Sequence, residues 1–147
     1  RYLLGYVLLS SVRISQKLDY ASRAMVHLAR KHDGQSVVRA DDIAESETIP
    51  PSFLAQILHE LKRTGLVTSR RGKTGGWKLT QAPAEISLLT VVEALEPEAL
   101  GQLPNATGES GEAVSRLWES VRESSRQILS ESSLETLAAS AEPMFYI

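Results

Sequence analysis

The chain contains no cysteine. Disulfides, thiolate zinc sites, cysteine-held iron–sulfur clusters and thiol catalysis are therefore excluded. This usage suits a cytoplasmic protein, which is the expected location. Aromatic residues make up only 5% of the chain, so a core must be mostly aliphatic. No apolar run reaches the roughly 20 residues of a membrane span, and no membrane partner is expected. Histidine is scarce, with His27, His32 and His59 alone. His27 and His32 are five apart on one expected helix, a spacing that gives them no common face, and no carboxylate joins them at metal-ligand spacing. All three are read as surface or helix-end residues. The glycines at 72, 75 and 76 do not precede a helix, so they form no nucleotide-binding loop. No spacing supports a Ser–His–Asp arrangement. Neither an enzyme, a metal nor a cofactor is expected.

What is present is an uneven charge distribution. The chain has 147 residues, about the size of one domain or a small domain with an arm. Its net charge of −2 conceals a polarity. Residues 13–80 hold 12 Lys/Arg against 7 Asp/Glu, whereas residues 81–147 hold 3 against 11. Between Lys62 and Lys78 stand six basic residues (Lys62, Arg63, Arg70, Arg71, Lys73, Lys78) and no acidic one. A solvated face would carry such charges too, but the asymmetry favours a polyanion-facing half.

Local patterns give that half a shape. Ser15 is placed to cap a helix with Leu18, Ala21, Met25, Leu28 and Ala29 on one stripe, and Asp33-Gly34 ends it as a turn. Ala40–Glu45 reads as a short helix, with Asp41 and Asp42 in the first turn and Ile43 and Ala44 inward. Pro50-Pro51 breaks the chain, and a new helix carries Phe53, Leu54, Ile57, Leu58 and Leu61 up to a stop at Gly65. Together these form a helix-turn-helix unit. The period then changes: Leu66–Ser69 and Trp77–Thr80 alternate around a basic, glycine-rich turn, which predicts a β-hairpin.

The second half reads as helical. Ile86 to Leu95 is apolar at helical spacing. Residues 96–112 form a loop with no periodic signal, long enough to suggest function. Ala113–Glu131 is a long amphipathic helix whose stripe includes Val114, Leu117, Trp118, Val121, Ile128 and Leu129. Leu134 and Leu137 begin a last short helix. The expected fold is mainly α with a small β-hairpin wing: a winged helix-turn-helix over 13–82 and a helical dimerisation region over 83–147, with residues 1–12 a leader or arm. The long stripe is expected to pair two copies, because two-fold dimers dominate among oligomers and match palindromic DNA.

A helix of this kind fits the major groove, and its first residues reach base edges. Ser52, Phe53 and Gln56 occupy those positions. Gln56 suits an adenine edge, while Phe53 suits core packing better than a base contact. Lys62 and Arg63 are expected on phosphates, as is Lys17 at the start of the first helix. Arg71, Gly72 and Lys73 form the wing tip, where an arginine senses a narrow minor groove. The expected partners are double-stranded DNA at a palindromic operator and a second copy of the chain.

The stretch LKRTGLVTSRRGKTGGWKL, with ISQKLDYASRAMVHLA before it and LWESVRESSRQILSESSLETLA after it, resembles the Rrf2 family of bacterial transcriptional regulators. The resemblance covers Ile14 to about Ala138. It implies a winged helix with a long dimerisation helix, acting at a palindromic operator, with Ser52, Gln56 and Arg71 on DNA. Two departures stand out. Several members hold an iron–sulfur cluster through three cysteines in the loop before the dimer helix, and that loop here has none. A glutamate of some members is replaced by Ala55. The resemblance also places the family's start near Arg13, so residues 1–11 are expected to be non-native. A cluster-free member would respond to an effector or partner protein through a pocket between the wing domain and the dimer helix. The alternative reading is a winged helix that binds protein rather than DNA.

Overall fold

Ser15 opens the first helix, its Oγ accepting from the Leu18 amide at 3.0 Å and donating to Glu96 Oε1 at 2.6 Å. In this computed structural model, which describes residues 13–140, the order is α1 (Gln16–Arg30), α2 (Ala40–Glu47), α3 (Pro51–Arg63), β1 (Val67–Arg70), β2 (Gly76–Leu79), α4 (Leu88–Leu95), α5 (Gly111–Glu131) and α6 (Leu134–Ala139). The expectation for residues 1–12 lies outside the described residues.

The predicted stripes face inward. Leu18, Ala21, Met25 and Leu28 of α1 meet Ile43 of α2 and Leu54, Ile57, Leu58 and Leu61 of α3 in one cluster. Each such aliphatic side chain contributes roughly 1.5–3 kcal/mol on burial. Leu134 of α6 and Val91 and Val92 of α4 belong to the same cluster. The chain after the wing therefore returns to the first helix, and α6 packs on α1. Ile86 and Leu88 hold that return through main-chain bonds to Leu134 and Ser132, at 2.9 and 2.8 Å.

Pro50 and Pro51 start α3 at the two positions where a missing amide costs least. Its end is a Schellman turn: Leu66 N–H donates to the Leu61 carbonyl at 3.1 Å and Gly65 N–H to Lys62 at 3.0 Å. Between α2 and α3, Thr48 sits at φ +55°, a conformation that branched side chains rarely adopt. The hairpin pairs Val67 with Leu79 and Arg70 with Gly76. Val38 adds a third rung, exchanging two main-chain bonds of 2.8 Å with Trp77. Gly76 permits that approach, because a Cβ there would lie 2.6 Å from the Val38 carbonyl oxygen.

Some boundaries differ from the sequence reading. The second helix continues to Glu47 rather than Glu45, because the chain turns only at Thr48. Of the two start residues the apolar run over Ile86 to Leu95 offers, Ser87 and Thr90, the structure uses Ser87: Ile86 is extended and fully buried, and Ser87 caps α4 by accepting from Thr90 N–H at 3.2 Å. The long helix starts at Gly111, two residues early. The expected featureless loop contains a tight 3-10 turn, Pro97–Leu100, in which Ala99 and Leu100 are buried and the Ala99 carbonyl accepts from Arg13 N–H at 2.8 Å. Helix α5 buries none of its residues. Val114, Leu117, Trp118, Val121 and Ile128 are 40–65% exposed. Leu129 instead turns onto the chain's own core.

Candidate nucleic-acid interface

Helix α3 divides into two faces. Leu54, Ile57, Leu58 and Leu61 are buried, while Ser52, Ala55, Gln56, His59, Lys62 and Arg63 are exposed. The exposed set runs from the N-terminal turn, where Ser52 and Gln56 stand, to the basic C-terminal turn. His59 packs edge-on against Trp77 of β2, with ring centroids 5.5 Å apart. Helix and wing are thus joined by an aromatic contact as well as by the chain. Lys62 reinforces the junction, its Nζ donating to Ser69 Oγ at 2.8 Å.

The hairpin presents its turn to solvent. Arg71, Gly72 and Lys73 are all exposed. Gly72 takes φ +103°, a backbone conformation open to glycine and strained for other residues. Beyond the turn, Arg70 and Lys78 lie on the hairpin face opposite the buried Val67 and Leu79. There they donate to the carbonyls of Gln35 and Gly34, at 3.2 and 3.3 Å. These two cations are committed to the α1–α2 connection. Arg39, at the start of α2, donates to the Lys73 carbonyl at 3.2 Å.

The ion pairs among the described residues use other cations. Lys17 pairs with Glu60 at 2.7 Å, Arg23 with Asp19, Arg30 with Glu47, Arg116 with Glu112 and Arg126 with Glu93. None of Arg39, Lys62, Arg63, Arg70, Arg71, Lys73 and Lys78 joins a carboxylate there. A run of cations left without acidic partners around one helix and one hairpin is an electrostatic footprint for a polyanion.

The other sequence-chosen residues sort as follows. The Phe53 ring stands edge-on to Tyr20, 5.3 Å between centroids, and packs against the core. Of its two readings, the structure supports packing. Lys17 lies beside α3 but is held by Glu60. His27, read as a surface or helix-end residue, stands in the last turn of α1 but is buried rather than at the surface, with Nδ1 3.1 Å from Glu47 Oε2. The correction has a simple cause. The second helix runs on to Glu47, whose carboxylate covers the α1 ring and lets it be buried without losing a partner. Sequence reading missed Arg39, because its partner is a main-chain carbonyl 34 residues away.

Comparison with known proteins agrees with this geometry. The Rrf2 family, described as iron-dependent transcriptional regulators, matches residues 14–140. The Mycobacterium tuberculosis protein Rv1287 is 39% identical over 139 residues, spanning 90% of this chain and 84% of that one. The Bacillus subtilis regulator CymR is 31% identical over 142 residues, covering 92% of this chain and all of that one. The solved structure of B. subtilis CymR, the global cysteine regulator, superposes with a TM-score of 0.75 over 88% of this chain and 98% of that one. T. potens IscR gives 0.72 over 88% of each, at 30% identity.

The family description implies iron, and the residues here do not fit an iron–sulfur cluster. The whole sequence lacks the thiolates that would hold one. Among the described residues, no group of three His, Asp or Glu is arranged to hold a metal. Glu96, at the head of the loop before α5, accepts from Ser15, and Glu112, in the first turn of α5, faces Arg116. With its helix-turn-helix, its wing and its match over residues 14–140 to regulators rather than enzymes, this chain belongs to the Rrf2 family of winged-helix, DNA-binding transcriptional regulators.

Proposed function

We propose that the chain works as a homodimer that grips a palindromic operator and controls transcription without an iron–sulfur cluster. The observation that carries this reading is the set of cations around α3 and the wing that lack carboxylate partners among the described residues. In this reading α3 enters the major groove, with Ser52 and Gln56 at base edges and Lys62 and Arg63 beside phosphates. The wing enters the minor groove, where Arg71 and Lys73 meet its negative potential and Gly72 lets the backbone turn beside the sugar wall. Lys17 reaches a phosphate only by leaving Glu60. Such work takes place in the cytoplasm, beside the chromosome.

The second copy is argued from α5. Five large apolar side chains on one stripe are exposed over about four turns. A soluble chain rarely leaves such a stripe uncovered, and a two-fold partner covers it with the identical stripe. Leu129 is not part of that seam, since it packs at home. An effector or partner protein would act at the hollow of about 440 Å³ between the 104–110 loop and α5, lined by Pro104, Thr107, Val114 and Trp118. Because Val114 and Trp118 belong to the seam as well, occupancy there bears directly on pairing.

Selection of bound duplexes from a random pool, followed by footprinting, tests the reading. The expected result is a palindrome with two protected half-sites about one helical turn apart. Leu117→Glu should give a monomer by sedimentation and lose the paired footprint. A wild-type monomer, or a pool with no enriched duplex, contradicts it.

A further inference from the structure

The wing turn has a support that lies outside the hairpin. Arg39 is exposed at the N-cap of α2, and its side chain leaves that helix uncapped. Its Nη1 reaches across to the Lys73 carbonyl at 3.2 Å. Asp41 and Asp42 follow it in the first turn of α2, yet neither pairs with it among the described residues. A guanidinium has five N–H donors in a rigid fork. One is spent on the wing, and the positive charge stands beside Lys73 with no carboxylate to offset it.

The contrast with Arg70 and Lys78 is informative. Those two hold carbonyls of the 34–35 turn at the base of the hairpin. Arg39 instead holds the turn itself, at the residue the DNA reading sends into a groove. The first helix of a helix-turn-helix crosses the phosphate backbone when the second lies in the major groove. Arg39 precedes that first helix.

We propose that Arg39 is a DNA phosphate contact, extending the interface from α3 and the wing to the leading edge of α2. The proposal rests on the DNA-binding reading. The bond to Lys73 pre-orients the guanidinium, so less side-chain freedom is lost when a phosphate arrives. Phosphate contacts position a protein without reading sequence, so Arg39 supplies affinity to every duplex alike.

The test uses Arg39→Gln, which keeps a donor for the Lys73 carbonyl and removes the charge, together with Arg39→Lys, which keeps the charge. Affinity for a labelled duplex recovered by selection is measured across a salt series, with a scrambled duplex in parallel. Arg39→Gln should lower the slope of log K against log salt by about 1.8 for the dimer, the value for one phosphate contact in each protomer. Both duplexes should weaken by the same factor, and Arg39→Lys should restore the slope. If Arg39→Gln keeps the wild-type slope, Arg39 only braces the wing and the proposal is overturned. A slope loss that Arg39→Lys does not restore overturns it too. Wild-type protein that bound no duplex would overturn the DNA reading and this inference with it.

Discussion

The ammonium of Lys17 lies 2.7 Å from Glu60 Oε2 and ties the start of α1 to the flank of α3. Glu60 is the one acidic residue of that helix. Both side chains are about a third exposed, so the pair contributes about 1 kcal/mol or less to stability. Its effect on the proposed DNA contact is larger, because it neutralises a cation beside α3. Glu60→Gln should leave the unfolding midpoint nearly unchanged. It should tighten duplex binding and steepen the salt slope by about one charge per protomer. Weaker binding by the variant, measured by anisotropy at several salt concentrations, contradicts this.

Thr48 holds a left-handed backbone between α2 and α3, at φ +55° and ψ +52°. That conformation costs a residue with a Cβ roughly 1–2 kcal/mol, and asparagine tolerates it better. Thr48→Asn should therefore stabilise the chain by about 0.5–1 kcal/mol in urea unfolding. A variant less stable than wild type would show that the Thr48 side chain makes a contribution larger than the strain.

The helix-turn-helix and the hairpin were legible because their causes are local. Leucines at helical spacing fix the buried face of α3, the two prolines fix its start, and Gly65 its end. The hairpin declared itself by the change of period after Leu66. What stayed hidden depends on distant partners. Nothing near His27 announces Glu47, twenty residues on. Ile128 and Leu129 are adjacent and equally apolar, and only packing decides that one is exposed and the other turned inward. The six basic residues from Lys62 to Lys78 look alike in the sequence. In the fold, Arg70 and Lys78 point at carbonyls of the 34–35 turn, an arrangement no spacing rule reveals. The turn at Pro97–Leu100 was missed because a single 3-10 turn is too short to display a period.

Asp33 supplies a pH dependence. Its carboxylate accepts from the Ser36 hydroxyl at 2.5 Å, the Ser36 amide at 2.6 Å and the Gln35 amide at 2.8 Å. These bonds, the hydroxyl first, hold its pKa well below the ordinary carboxylate range. A depressed folded-state pKa means stability that is fully present above the unfolded value of about 3.9 and is lost as pH falls toward the folded one. Asp33→Ala should thus be less stable than wild type at neutral pH, and the gap should narrow steadily below about pH 4. A gap that holds constant from pH 7 to pH 2.5 in urea titrations contradicts the role given to these bonds.

The salt dependence of duplex binding by wild type and Arg71→Ala tests the central claim most directly. Arg71 is exposed at the wing tip and joins no carboxylate among the described residues. For the wild type, log K should fall steeply and linearly with log salt, as several phosphates are neutralised. Arg71→Ala should lose roughly 1–3 kcal/mol of affinity at fixed salt while remaining folded. A folded Arg71→Ala protein with wild-type affinity, or a wild-type protein whose binding ignores salt, would contradict the account.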